Sequence, residues 1–148
     1  MLGTVSIMLH KLSITMKSIK LLAIALLLTL ANTPTEAQRL KSSSGSTIGY
    51  IENGRVKNSS GSTIGYIEDG RVKNSSGSTI GYYDTDRIRN SSGSTIGYLE
   101  DGRVKNSSGS TIGYVDDGRV KSSSGSTFGY FEGVRRMEAV LYFFFFFY

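Results

Sequence analysis

The chain has 148 residues, 17 basic and 12 acidic, with 18 glycines, one proline and no cysteine. That length suits one small domain, and the missing thiols exclude disulfide staples, lipid-modified cysteine and Cys-based metal or nucleophile chemistry. The charges alternate along the chain and form no basic block, which gives no footing for nucleic-acid binding.

In chain order, Lys17 and Lys20 precede an apolar run, Leu21 to Leu30, and a short polar stretch ending Thr35-Glu36-Ala37-Gln38. A basic start, an apolar centre and small residues before a cut mark a secretory signal peptide. The apolar run is shorter than the ~20 residues that a membrane span needs. Residues 16–37 are therefore expected to be a signal peptide cut after Ala37, with the product exported to periplasm, cell surface or medium. Met16-Lys17-Ser18-Ile19-Lys20 reads as the start of that leader, which makes residues 1–15 a start-site over-call. The single histidine, His10, lies there. From Gln38 onward the chain keeps fourteen basic and eleven acidic residues, a net +3, and no histidine. An imidazole base is then missing as well as a thiol.

Residues 38–133 hold six copies of a 16-residue unit, with Arg39, Arg55, Arg71, Arg87, Arg103 and Arg119 on one grid. The copy from Arg55 to Gly70 reads RVKNSSGSTIGYIEDG. A fixed short period means one small supersecondary unit stabilised by its neighbours. Asp69-Gly70 predicts a two-residue type I′ turn, which needs positive φ at both positions. That turn sets Glu68 opposite Arg71, Ile67 opposite Val72, Tyr66 opposite Lys73 and Gly65 opposite Asn74. Glu68 and Arg71 are expected to pair, Ile67 and Val72 to share the core face, and Tyr66 and Lys73 the other. Gly54, Gly70, Gly102 and Gly118 are the structural glycines of these turns. Ser75-Ser76-Gly77 suits a three-residue loop with Gly left-handed. With both connections tight, a unit has no room for a helix.

Gly49, Gly65, Gly81, Gly97, Gly113 and Gly129 fall in mid-strand, where glycine weakens a strand unless it permits a bend or a close approach. A bend would turn Ile64 and Ile67 to one interior; a flat strand would set them on opposite faces. Isolated hairpins of this size are marginal in water, so the six must bury their Ile and Val together. The expected fold is all-β, a closed flower or propeller-like ring with one hairpin per petal, because closure removes exposed strand edges. The alternative is an open antiparallel meander.

The repeat K-N-S-S-G-x-T-I-G-Y-I-E-D-G and the leader ending in Ala-Gln resemble the five-fold β-flower proteins, small exported repeat proteins of Bacteroidetes-type bacteria. The likeness runs from Arg39 to about Tyr148. It implies a flower fold and export and supplies no activity. The chain departs from it in showing six units, so one of them is expected to serve as a closing pair or as an extra petal.

Tyr83-Asp84-Thr85-Asp86 replaces the Asp-Gly turn in one unit and predicts a different turn there. Two carboxylates fall short of the six to eight oxygens that calcium takes, so a solvated turn is expected and no cofactor. Residues 134–148 carry Val140-Leu141-Tyr142, then Phe143, Phe144, Phe145, Phe146 and Phe147, then Tyr148. They are expected to form a closing strand whose aromatic end covers the core, the alternative being a tail that docks to an outer membrane or a partner. Tyr50, Tyr66, Tyr82, Tyr98, Tyr114 and Tyr130 recur with a basic residue beside each. They are the candidate ligand or partner surface, for a cell-surface glycan or a protein; the competing role is packing between petals. No base, nucleophile and oxyanion set is distinguished from the repeated residues, so catalysis is not expected. A glycan-acting enzyme built on two carboxylates is the remaining enzymatic alternative. The reading is an exported structural or binding repeat module.

Overall fold

The structure, a computed structural model, describes residues 38–148. The expected signal peptide, residues 16–37, and the expected start-site over-call, residues 1–15, lie outside the described residues. Twelve antiparallel strands close into a barrel in simple chain order. They are β1 (Arg39–Ser42), β2 (Thr47–Glu52), β3 (Arg55–Asn58), β4 (Thr63–Glu68), β5 (Arg71–Asn74), β6 (Thr79–Tyr83), β7 (Arg87–Asn90), β8 (Thr95–Glu100), β9 (Arg103–Asn106), β10 (Thr111–Asp116), β11 (Arg119–Ser122) and β12 (Thr127–Glu132). The ring is closed and the open meander is excluded.

Two kinds of turn build it, one at each end of the barrel. At one end Asn53-Gly54, Asp69-Gly70, Asp101-Gly102 and Asp117-Gly118 all have positive φ, from 44° to 79°. Positive φ at both central residues defines the type I′ turn, whose twist matches that of the strands it joins. The register that follows pairs Gly65 with Asn74, Tyr66 with Lys73, Ile67 with Val72 and Glu68 with Arg71. The atypical hairpin β6–β7 turns differently. Neither Thr85 nor Asp86 has positive φ, and the Asp84 carboxylate accepts the Arg87 N–H at 3.1 Å.

At the other end Gly77 donates to the Asn74 carbonyl at 3.0 Å, and Asn74 to that of Ser78 at 3.0 Å. Gly77 has φ 84°, the left-handed closing residue of a three-residue loop. The Asn74 Oδ1 caps the loop, accepting the N–H groups of Ser76 and Ser78 at 3.1 and 3.0 Å. The same turn recurs six times, joining β1–β2, β3–β4, β5–β6, β7–β8, β9–β10 and β11–β12.

Each of these six hairpins carries a bulge. Val72 faces Gly81 and Lys73 faces Thr79, which leaves Ile80 as the extra residue. A bulge inserts one unpaired residue and bends its strand. That settles the geometry of the mid-strand glycine. Ile64 packs against the core beside the buried Ile67, on the same interior, and the flat strand is excluded.

Glu68 faces Arg71 in the ladder, but its ion pair is with Lys73 Nζ at 2.8 Å. The expected Glu68–Arg71 pair is thus corrected. Strand twist favours the diagonal neighbour, and the long Lys stem crosses to the carboxylate.

The tail is the larger correction. Closure is made by β1 against β12, from Arg39 opposite Glu132 to Ser42 opposite Gly129. Residues 134–148 add no strand. They form a short helix, α1 (Arg136–Val140), running into a π-helical segment, Leu141–Phe146. Once β1 fills the last edge, a further strand has no partner for its backbone. A helix satisfies its own, and can stand inside the bore. Ala139, Val140 and Leu141 are wholly buried there among Leu40, Ile51, Val56, Ile67, Val72, Ile88, Val104, Val115 and Val120.

The turn assignment carries a prediction. Gly70→Val places a β-branched residue at φ 74°, where strain costs about 1–3 kcal/mol. Asp86→Asn, at the equivalent position of the atypical hairpin, should stay within about 0.5 kcal/mol. Thermal melts of the two variants compare them directly, and equal shifts would contradict a left-handed requirement at Gly70.

Candidate functional site

Two surfaces are available for function, the bore and the outer wall. The bore is full. Tyr142 to Phe147 are consecutive residues of one wide turn, and each aromatic ring meets the mid-strand glycine of a different hairpin. A Cβ on Gly129 would lie 2.5 Å from Phe143, and one on Gly113 2.5 Å from Phe144. One on Gly97 would be 2.3 Å from Phe145, on Gly81 2.3 Å from Phe146, and on Gly65 2.5 Å from Phe147. At Gly49 it would be 3.0 Å from the Tyr142 hydroxyl. Real Cβ atoms do not approach this closely, so a side chain at any of the five phenylalanine positions would displace a ring. The glycines are there for close approach, as bare floor beneath aromatic rings.

The wheel of rings is tied together edge to face. Phe128, the last hairpin's substitute for isoleucine, meets Phe143 and Phe144 with centroids 5.9 and 5.5 Å apart and planes near perpendicular, a favourable quadrupole arrangement. Tyr148 lies over Phe143 at 5.3 Å and is 67% exposed, at the mouth ringed by the Ser-Ser-Gly loops. Tyr142 donates to the Ile48 carbonyl at 3.4 Å. Burial, with a smaller effect of Tyr148, raises its pKa above the ordinary tyrosine value.

The tail begins at the opposite mouth, where a charged cluster anchors it. Glu138 is buried, and its carboxylate accepts from the Arg135 guanidinium at 2.6 Å and the Arg135 N–H at 3.2 Å. The hydrogen bond to Glu138 and its charge raise the Arg135 pKa, with a lesser contribution from Tyr83. Tyr83 belongs to the atypical hairpin and stands where the other hairpins carry aliphatic residues or Phe131. Arg136 pairs with Asp116 of β10 at 3.5 Å.

On the outer wall the candidate tyrosines form a belt. The register sets Tyr66 between Arg55 and Lys73, and Tyr82 between Arg71 and Arg89. Tyr50, Tyr98 and Tyr114 are flanked likewise by Arg39 and Lys57, Arg87 and Lys105, and Arg103 and Lys121. Tyr130 closes the belt between Arg119 and Lys41. All six are half-buried. Shallow grooves run beside them, one of about 240 Å³ bounded by Tyr66, Glu68 and Lys73. A larger one of about 540 Å³ is bounded by Arg103, Tyr114, Asp116 and Lys121.

Five belt positions carry an internal ion pair: Lys41–Glu132, Lys57–Glu52, Lys73–Glu68, Arg89–Asp84 and Lys105–Glu100. Among the described residues Lys121 has none, because Asp116 is one methylene shorter than glutamate and turns to Arg136. Asp84 is engaged by Arg89 and by the Arg87 N–H, which makes it part of a structural turn.

The belt was legible in the repeat; the glycine floor was not, although it is the more constrained surface. The available signal was a coincidence of counts. Seven consecutive aromatic residues, Tyr142 to Tyr148, follow six repeats with one mid-strand glycine each, and the first six of them take one glycine apiece while Tyr148 is left exposed.

A closed ring of like hairpins filled by its own C-terminal segment defines a self-contained β-repeat module. The sequence model of the 5-fold beta-flower protein family matches residues 36–147, and the chain belongs to that family. Its ring has six hairpins, counted through the Ser-Ser-Gly loops; five tight turns join them at the other end, and the β12–β1 pair stands in the sixth place. No match was found among curated proteins or among solved structures.

Proposed function

We propose that this chain is an exported, non-catalytic structural module whose outer tyrosine belt is a multivalent contact face for cell-envelope glycan. The observation that carries the reading is the filled bore. With the interior taken by the chain's own aromatic residues, recognition falls to the wall, where one Tyr flanked by two cations recurs six times. Aromatic faces suit sugar rings, and repetition lets weak single contacts add through effective concentration. Export rests on the leader-like residues 16–37 with Ala37 before the cut.

The test uses the full chain expressed with its leader. Protein recovered outside the cytoplasm should begin at Gln38. It should co-sediment with isolated cell-envelope polysaccharide. Replacing three alternate belt tyrosines (Tyr50, Tyr82 and Tyr114) by Ser should reduce retention far more than replacing Tyr66 alone, because avidity is lost multiplicatively. Retention that is unchanged by the triple substitution would remove the belt from the function. Recovery of a chain that still carries Leu21 to Leu30 would remove export.

A further inference from the structure

The six hairpins are nearly identical, and nothing in a hairpin says how many should stand in the ring. Each ladder would accept another copy, since an unpaired edge is a template for the next strand. The tail is different, because it is finite and its residues are assigned. Tyr142 meets Gly49, Phe143 meets Gly129, Phe144 Gly113, Phe145 Gly97, Phe146 Gly81 and Phe147 Gly65. From Phe143 to Phe147 one step forward along the tail is one step of 16 residues back around the barrel, and Tyr142, across the β1–β12 closure, takes the remaining hairpin.

An ordinary α-helix cannot do this. At 3.6 residues per turn it advances ~100° per residue, whereas six evenly spaced hairpins need about 60°. The tail widens accordingly. Phe147 N–H bonds the Tyr142 carbonyl at 3.3 Å, five residues back, and Tyr148 N–H bonds the same oxygen at 3.1 Å, six residues back. Backbone of this width is rare in proteins. Here it ends with a turn that closes after six residues, one per hairpin.

We propose that the bore is a binding site for a C-terminal aromatic run, and that the number of its rings seated on a glycine, here the six from Tyr142 to Phe147, sets the number of hairpins in the ring. Each glycine is one subsite, each ring one spoke, and a mismatch leaves either a bare glycine or a ring with no floor. The partner that this surface fits is a helical segment with one aromatic per repeat, which the chain itself supplies.

The experiment changes the two counts independently in the full chain. One variant lacks a single repeat, residues 55–70, and keeps the whole tail. A second lacks the same repeat and also Phe145, so that five hairpins meet five spokes. The matched variant should melt about 5 °C or more above the mismatched one, although it is the shorter chain and has lost an apolar residue. A mismatched variant that melts at the same or a higher temperature overturns the proposal. Should neither five-hairpin chain fold, the pairing is tested in the six-hairpin ring. Gly129 has the roomiest backbone surroundings of the five phenylalanine subsites, with the Lys41 carbonyl 3.1 Å from an added Cβ. Gly129→Ala should lower the melting temperature. Adding Phe143→Leu should recover part of that loss, while adding Phe145→Leu should deepen it. Equal recovery by the two leucine substitutions, or by neither, overturns the one-to-one assignment.

Discussion

Removing Val140 to Tyr148 is expected to abolish cooperative unfolding. The deletion takes out Val140 and Leu141, both wholly buried, with Tyr142 and Phe143, buried to within 5%, and the four half-buried rings after them. One buried Phe is worth roughly 1.5–3 kcal/mol, and a small domain has about 5–15 kcal/mol in total. The strands cannot refill the space, because the wall behind the rings is glycine at every hairpin. Circular dichroism of the chain from Gln38 to Ala139 should show no sigmoidal thermal transition. A truncated chain that melts cooperatively at the temperature of the intact one would refute the tail as core, and with it the idea that the bore must be filled.

The second large effect is at the glycine floor. Gly113→Ala puts a methyl group 2.4 Å from the Lys121 carbonyl oxygen and 2.5 Å from the Phe144 ring. Strand statistics favour the opposite sign, since a mid-strand glycine costs conformational entropy that alanine would save. Overpacking wins here, because one of the clashing atoms is backbone and the ring is locked in a wheel of neighbours. The expected loss is about 1–3 kcal/mol or more. Gly109→Ala is the control. It lies in a loop at φ 82° with nothing within 4 Å of an added Cβ, so it carries backbone strain without a clash. Thermal melts should place Gly113→Ala below Gly109→Ala, and both below the parent. A Gly113→Ala protein more stable than the parent would show that the ring can yield.

Much of the wall could be read from the residues because its determinants are local. Asp69-Gly70 admits one turn type, that turn dictates which residues face each other, and the pairs from Gly65–Asn74 to Glu68–Arg71 follow. Ser75-Ser76-Gly77 acts the same way at the other end. The tail was not legible on these terms. Apart from Leu141, Val140 to Tyr148 is β-branched or aromatic, the composition of a strand, and β-propensity is a statement about fit to a pleated surface rather than about the backbone itself. What decides for a helix is clearance inside a closed ring, and no property of residues 140–148 expresses that. Nor does anything in Arg39–Ser42 distinguish the closing strand from its five copies; it closes the ring because β12 is the edge that remains. Lys73 taking Glu68 from Arg71 is a matter of twist, which pairing rules read on a flat ladder omit.

The filling of the bore by the last residues has a consequence in time. Hairpins joined by two- and three-residue turns form in microseconds, and they can appear one by one as the chain is made at about 5–20 residues per second. Their common core cannot appear with them. β1 has to wait for β12, ninety or so residues later by the Arg39–Glu132 pairing, and the ring has nothing to close around until Tyr142 to Phe147 have followed. The chain is therefore held as a string of marginal hairpins through most of its synthesis and acquires its stability in one late step. That order of events is written into the position of six aromatic residues.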